Sequence, residues 1–295
     1  MKLSKKVLAV FSMVAALAMA VSFTSCGEDD DDEKDAISKG NSDSFSIAYT
    51  NEDSSVYRGY KTTSLKHSGA LTKVTMDTSS ANAGAMGYIW DLESNSKREA
   101  KDPRRFCIVG FNYDGTQVNP YVSVYKNVTD ISLNNFGAAA ITEKETGSTA
   151  TNAGATEEEI IKLGSNKKTV TKVAKTDTVP EHIVLTIDVY EDGNFTWNDE
   201  KTKRVYTADD STPAYTGGYR VDVYDGEITT AALADGTAGT PILSTSITAA
   251  QLGYTAGTQP TQQYCAAYAN VYPGKTLTGT WNYTATYNAD EVVEE

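Results

Sequence analysis

Over residues 277–287 apolar and polar side chains alternate one for one. Leu277, Gly279, Trp281, Tyr283, Ala285 and Tyr287 fall on one side, and Thr278, Thr280, Asn282, Thr284 and Thr286 on the other. A period of two is the repeat of an extended strand, whose successive side chains point to opposite faces. The pattern recurs over residues 183–190. There Ile183, Leu185, Ile187 and Val189 oppose Val184, Thr186, Asp188 and Tyr190, which predicts a half-buried strand. Further strand signals lie at 45–49, 71–76, 86–92, 105–113, 121–125, 195–197, 219–224, 242–247 and 264–272. Asp114-Gly115 and Asp192-Gly193-Asn194 supply turn chemistry between such runs. About a dozen strands without intervening helices exclude a parallel α/β sheet and predict an all-β antiparallel sandwich, with a closed barrel as its rival.

Residues 136–178 break the rhythm, being rich in Ala, Gly, Thr, Asn and Lys. They read as a loop insertion holding one short helix over 156–164. Thr156 and Glu159 would form its capping box, and Gly164 its stop.

The chain opens with Lys2, Lys5 and Lys6, an apolar run over 7–21, and Ser22-Phe23-Thr24-Ser25-Cys26. A charged start, an apolar middle and small residues before a cut describe an export signal. The run is shorter than the roughly 20 residues that cross a bilayer as a helix. Phe23-Thr24-Ser25-Cys26 resembles a bacterial lipobox. Its looser form, with Phe23 in the first place and Ser25 before the cysteine, is similar to the relaxed lipobox of spirochaete lipoproteins. The resemblance implies that Cys26 becomes the lipidated first residue of the mature protein and carries several chains. Each buried methylene contributes roughly 0.8 kcal/mol, so two or more chains hold firmly where one does not. The alternative is plain signal cleavage with Cys26 as a spare thiol. Gly27-Glu28-Asp29-Asp30-Asp31-Asp32-Glu33 follows directly. A run of like charge self-repels and buries nothing, so it reads as a flexible tether. Acidic residues in this place also resemble a surface-export signal of some outer-membrane lipoproteins. The expected location is the outer membrane or cell surface, held by lipid.

The resulting map has a signal peptide at 1–25 and a lipidated cysteine with its disordered acidic tether at 26–43. One domain follows at 44–289, with the insertion at about 136–178, and then an acidic tail at 290–295. The chain carries 26 Lys+Arg against 39 Asp+Glu, a net charge of −13. Much of that acidity sits in the tether and tail, so the body is only mildly acidic. It shows no basic stripe, which argues against nucleic acid and anionic lipid as partners. Cys107 and Cys265 lie in two strand segments. In an oxidising compartment they could pair as a disulfide, or remain two separate buried thiols.

Met86-Gly87-Tyr88-Ile89-Trp90-Asp91-Leu92, Phe106-Cys107-Ile108-Val109-Gly110-Phe111 and Tyr121-Val122-Ser123-Val124-Tyr125 resemble the central strands of jelly-roll domains similar to the concanavalin and laminin-G sandwiches. Asp192-Gly193-Asn194-Phe195 matches a later hairpin of that pattern. The likeness covers about 40 residues and implies a jelly-roll-like sandwich. A shared fold does not by itself imply a function.

Chemistry is sparse. The two histidines, His67 and His182, stand far apart in the chain. There is no Gly-x-Ser-x-Gly, His-Glu-x-x-His or Cys-x-x-Cys. Glycosidases use two carboxylates about 5–10 Å apart. Neither Asp188 nor Asp222 has a second acid two residues on, though Glu191 and Asp192 are near the first. Two close buried carboxylates in a cleft would be the mark of such an enzyme. Asp114-Gly115 and Asp192-Gly193-Asn194 offer too few oxygens for calcium and read as turns. No metal and no cofactor is expected.

The chain has 18 Tyr, 7 Phe and 3 Trp. Such rings suit sugars and wet interfaces, and they also fill sheet cores. Tyr88, Trp90, Trp197, Trp281 and Tyr283 are the candidate ligand-binding aromatics. The expected function is non-catalytic binding of an extracellular protein or glycan by an anchored sandwich. The alternatives are a carbohydrate-binding accessory module and a structural component of the envelope. Cys26→Ser is expected to abolish incorporation of labelled fatty acid, and label that persists on the variant refutes the anchor.

Overall fold

The computed structural model describes residues 42–54, 56–62, 69–92, 104–128, 134–135, 160–258, 260 and 264–286. Cys26, residues 27–41 of the tether, His67, Tyr287 and the tail lie outside them, as do residues 136–159 of the insertion. Ser42 and Asp43, read as the tether's end, are the start of the first strand, paired with Thr284 and Tyr283. The strands are β1 Ser42–Thr50, β2 Tyr57–Thr62, β3 Leu71–Asp77, β4 Gly84–Leu92, β5 Arg104–Tyr113, β6 Gln117–Val128 and β7 Asn134–Asn135. They continue with β8 Ile160–Ser165, β9 Lys168–Thr169, β10 Lys172–Val173, β11 His182–Gly193, β12 Phe195–Trp197 and β13 Arg204–Tyr206. After β14 Tyr215–Asp225 comes helix α1 Thr230–Ala234, and after β15 Leu243–Ile247 comes α2 Ala249–Leu252. β16 Tyr264–Val271 and β17 Thr276–Thr284 close the order.

Two sheets result. The first runs β1-β17-β3-β11-β14-β15, with β10 beside the start of β11. The second runs β7-β2-β16-β4-β5-β6-β8, with β9 beside the start of β6. Apart from β2 with β7, the pairings are antiparallel. Three connections, β1 to β2, β3 to β4 and β16 to β17, pass from one sheet to the other. They keep the same lateral order, β1-β17-β3 above β2-β16-β4. The chain is an all-β antiparallel sandwich.

The alternating positions face inward as their period requires. Ile183, Leu185, Ile187, Val189, Leu277, Trp281 and Tyr283 from the first sheet meet Met86, Tyr88, Trp90, Val109, Phe111, Ala267 and Ala269 from the second in one core. Trp281 donates its indole Nε1 to the Gly87 carbonyl across that core at 2.7 Å. Gly279 makes the approach possible. A Cβ there would fall 2.6 Å from the Met86 Sδ.

The half-buried reading of β11 needs correction. Thr186 and Asp188, on its other face, are as buried as the core, because later chain folds over them. The outer face of the second sheet is apolar as well. Ile89, Leu92, Phe106, Ile108, Tyr125, Ala266 and Tyr268 form a second cluster there.

Three local expectations fail for identifiable reasons. Residues 160–164, read as the end of a helix, are strand β8 on the edge of β6, with Ile161 opposite Val124 and Ile160 opposite Tyr125. A helix of one or two turns with few apolar residues is marginal, whereas β-branched Ile160 and Ile161 suit a sheet edge. Gly164, the expected stop, instead takes φ +64° where the register shifts, as a bulge requires. The insertion is therefore structural from 160 onward. Asp192-Gly193-Asn194 is not a hairpin turn. β11 continues to Gly193, which pairs with Tyr215, and β12 pairs with β13. Asp114-Gly115 does turn the β5–β6 hairpin, with Asp114 N–H donating to the Gln117 carbonyl at 3.0 Å.

Cys107 and Cys265 are both buried and are not bonded to each other. β4 lies between their strands, with its Trp90 opposite Cys107. Two strand spacings hold the backbones roughly 10 Å apart, beyond the roughly 4.4–6.8 Å that a disulfide spans. Thiol titration of unreduced protein should find Cys107 and Cys265 unreactive when folded and both reactive on unfolding. A result of no thiol on unfolding would restore the bridge.

Candidate functional site

Past the register shift at Glu191–Gly193 the chain leaves the first sheet and folds back over its outer face as the β12–β13 hairpin. Asn198 makes the turn. Its Oδ1 accepts from Thr202 N–H at 2.8 Å and from Lys203 N–H at 2.9 Å. An Asn side chain can mimic backbone in this way, which is why such residues start turns.

Arg204 then points down through the hairpin. It is 2% exposed, and Asp188 beneath it 1%. Its Nη1 donates to Asp188 Oδ1 at 3.0 Å and its Nη2 to Asp188 Oδ2 at 2.5 Å, a bidentate pair. Nη1 also reaches Thr286 Oγ1 at 2.9 Å. The same guanidinium lies over three rings, with centroids at 3.9 Å for Tyr190, 4.7 Å for Trp197 and 5.3 Å for Phe195. A desolvated cation over aromatic faces gains about 2 kcal/mol. The arrangement pairs both terminal nitrogens, leaves Nε without a hydrogen-bond partner, and fixes the hairpin to the sheet.

Asp222 stands directly across from Asp188 in the β11–β14 ladder. It accepts from Ser244 Oγ at 2.5 Å. Burial pushes the Asp188 carboxyl above its ordinary value against the pull of Arg204, and Asp222 adds to the rise. Tyr190 and Tyr224 are each pushed up to about 12 by burial and then by Asp222.

A search for acids two residues apart along one strand could not see this pair, because the ladder creates it. A signal existed. Ile187-Asp188-Val189 and Val221-Asp222-Val223 each place a lone acid in an apolar strand. The two acids are close and buried, as a glycosidase pair would be. Both Asp188 oxygens are engaged by Arg204 under the hairpin, so the pair works as a fastening.

The face of the hairpin that carries Arg204 also carries a ledge of rings, since Phe195 stands opposite Tyr206 and Trp197 opposite Arg204. Phe195 lies 6.1 Å from Trp197 and 5.7 Å from Tyr206, and Tyr206 stacks on Tyr215 at 4.6 Å. All four are partly exposed. Of the five aromatics expected to bind ligand, only Trp197 belongs here. Tyr88, Trp90, Trp281 and Tyr283 sit at 0–1% exposure between the sheets. They occupy the inward-facing positions of β4 and β17, so a surface role for them is withdrawn. Phe195, Tyr206 and Tyr215 were not anticipated.

A second buried carboxylate also fastens an excursion. Asp91, in the left-handed region at φ +54°, accepts from Arg105 Nε at 2.6 Å and from the Tyr254 hydroxyl at 2.5 Å. Arg105 Nη1 donates to the Leu252 carbonyl at 3.1 Å and so pins the end of α2. Burial, with Asp91 beside it, pushes the Cys107 thiol well up. A buried thiol held in that state is inert. His182 lies at the start of β11, its Nδ1 2.9 Å from the Pro180 carbonyl. Among the described residues no three His, Cys, Asp or Glu side chains converge as metal ligands do, and no helix is long and apolar enough to cross a membrane.

No protein-family model matches the chain, and no curated protein does.

Arg204→Met leaves Asp188 buried without its partner and is expected to cost about 3–5 kcal/mol in urea unfolding. Adding Asp188→Leu should recover most of that loss, since the uncompensated charge is then gone. A single variant as stable as the wild type refutes the fastening.

Proposed function

We propose that this protein is an exported lipoprotein, anchored through Cys26 at the outer membrane or cell surface, whose sandwich binds an extracellular ligand without acting on it chemically. The amino-terminal pattern of charge, apolar run and lipobox supports the anchor. The observation that carries the binding reading is the ring ledge Phe195, Trp197, Tyr206 and Tyr215. All four rings are partly exposed, on or beside a hairpin that the buried Arg204–Asp188 pair holds to the sheet. Flat rings held rigid lose little entropy on contact with a sugar face or a protein side chain. The carboxylates below are held by Arg204 and Ser244, which favours recognition over hydrolysis.

A glycan is the ligand class that the partly exposed Trp197 suits best. A glycan array probed with the full chain should show saturable binding to one sugar class, with a shift in tryptophan emission. Trp90 and Trp281 are sealed in the core, so the shift must vanish in Trp197→Phe, and Trp197→Ala should lose most of the affinity. Binding unaffected by Trp197→Ala refutes the ledge, and a blank array with a captured surface protein transfers the reading to a protein partner.

A further inference from the structure

Residues 166–181 form a strap that crosses from one sheet to the other. β9 pairs with Gln117–Val118 of β6, and four residues later β10 pairs with the first two residues of β11. One side chain at the crossing, Val170, turns inward and joins the core. The neighbours on either side face solvent: Lys167, Lys168, Thr169, Thr171, Lys172, Val173 and Lys175 are all exposed. Val173 and Val179, at 42% and 43%, are the exposed large hydrophobics among the described residues. The Thr176–Val179 turn returns the chain beside β10, with Thr176 N–H donating to the Val179 carbonyl at 2.9 Å.

We propose that this strap is a second binding surface, separate from the ring ledge, and that its ligand is a polyanionic polysaccharide. Four lysines in nine residues project from one crossing on a body that is acidic overall. The absence of a basic stripe, expected from composition, overlooked what this crossing gathers. Lys167 meets Asp114 at 2.9 Å and Lys172 meets Glu181 at 3.3 Å. Ion pairs this exposed contribute little, so a chain bearing many anions can exchange with them. Asp177 and Asp225 are the other acids here, and Asp225 is taken up by the Thr171 N–H and hydroxyl.

Segment 166–181 contains no Arg and no aromatic residue, the types that anchor protein interfaces. Lysine is a mobile point charge with rotatable donors. Together with flanking threonine hydroxyls it suits a flexible polymer of repeated sulfates or carboxylates more than a shaped protein surface.

β1 enters at Ser42, in one row with Thr284, Leu71 and Asp188. β10 lies in the row of His182 and Ile183, about 20 Å further along at about 3.3 Å per residue. The strap therefore lies at the opposite end of the first sheet from the row where β1 begins.

The test uses the full chain in neutral phosphatidylcholine vesicles, with labelled heparin as probe and polyglutamate for comparison. Heparin should bind saturably and release as salt is raised. The exposed double reversal Lys168→Glu with Lys175→Glu should weaken it by at least about tenfold while leaving the thermal transition in place. No heparin binding by the wild type, or equal binding by the double variant, overturns the proposal. Polyglutamate binding as tightly as heparin overturns the choice of polysaccharide and points to an acidic protein segment. Binding that survives the lysine reversals but is lost in Trp197→Ala moves the site to the ledge. Free protein with Cys26 unlipidated should bind heparin alike, so failure of the anchor and failure of the strap are separate outcomes.

Discussion

A sheet with an apolar face must bury it, and here the two sheets bury theirs against each other through large rings. Trp90, Tyr88, Trp281 and Tyr283 fill the interval between β4 and β17, and the Trp281 indole finds its acceptor on the opposite sheet at Gly87. That hydrogen bond needs both sheets in place, so it reports on their assembly and on neither alone. Because an indole N–H left unpaired inside a protein is costly, the Gly87 carbonyl sets where Trp281 can sit, and Gly279 beside it gives Met86 the room to close the gap. Among the described residues the largest fully buried side chains are rings of this interior, Trp90 and Trp281 first.

The outer faces are covered by a different kind of contact. Over the first sheet the cover is the β12–β13 hairpin, fixed by a buried ion pair. Desolvating Arg204 and Asp188 costs several kcal/mol per ion, offset by bidentate geometry, the Thr286 contact and three ring faces. An apolar plug of the same size could be as stable. The ion pair adds direction, because only one placement of the hairpin satisfies both carboxylate oxygens. Asp91 with Arg105 and Tyr254 does the same for the end of α2, whose Leu252 packs into the core between the sheets. Polar fastenings of this sort hold short elements that have too little apolar surface to hold themselves.

The strands were legible because alternation is a local property. Every inward residue named for 183–189 and for 277–285 is buried, since a period of two leaves each side chain one choice of face. The Asp188–Asp222 pair was not legible, because a ladder register joins residues 34 apart in sequence. The aromatics failed for a related reason: ring type says that a residue will be in contact, and only the sheet's packing says with what. At residues 160–164 a capping pattern pointed to a helix, and the open edge of β6 outweighed it, as tertiary pairing does for short segments.

Residue order alone determined the all-β class, most of the strands, their inward faces and the charged, apolar and cysteine pattern at the start of the chain, because each depends on neighbours within a few residues. Tertiary structure alone decided that Cys107 and Cys265 stand two strands apart, that four of five candidate rings are core, and that Arg204 locks a hairpin over Asp188. Those facts depend on which strands become neighbours, and strand order is set by how the sheets bury their faces together, which no short stretch of sequence contains.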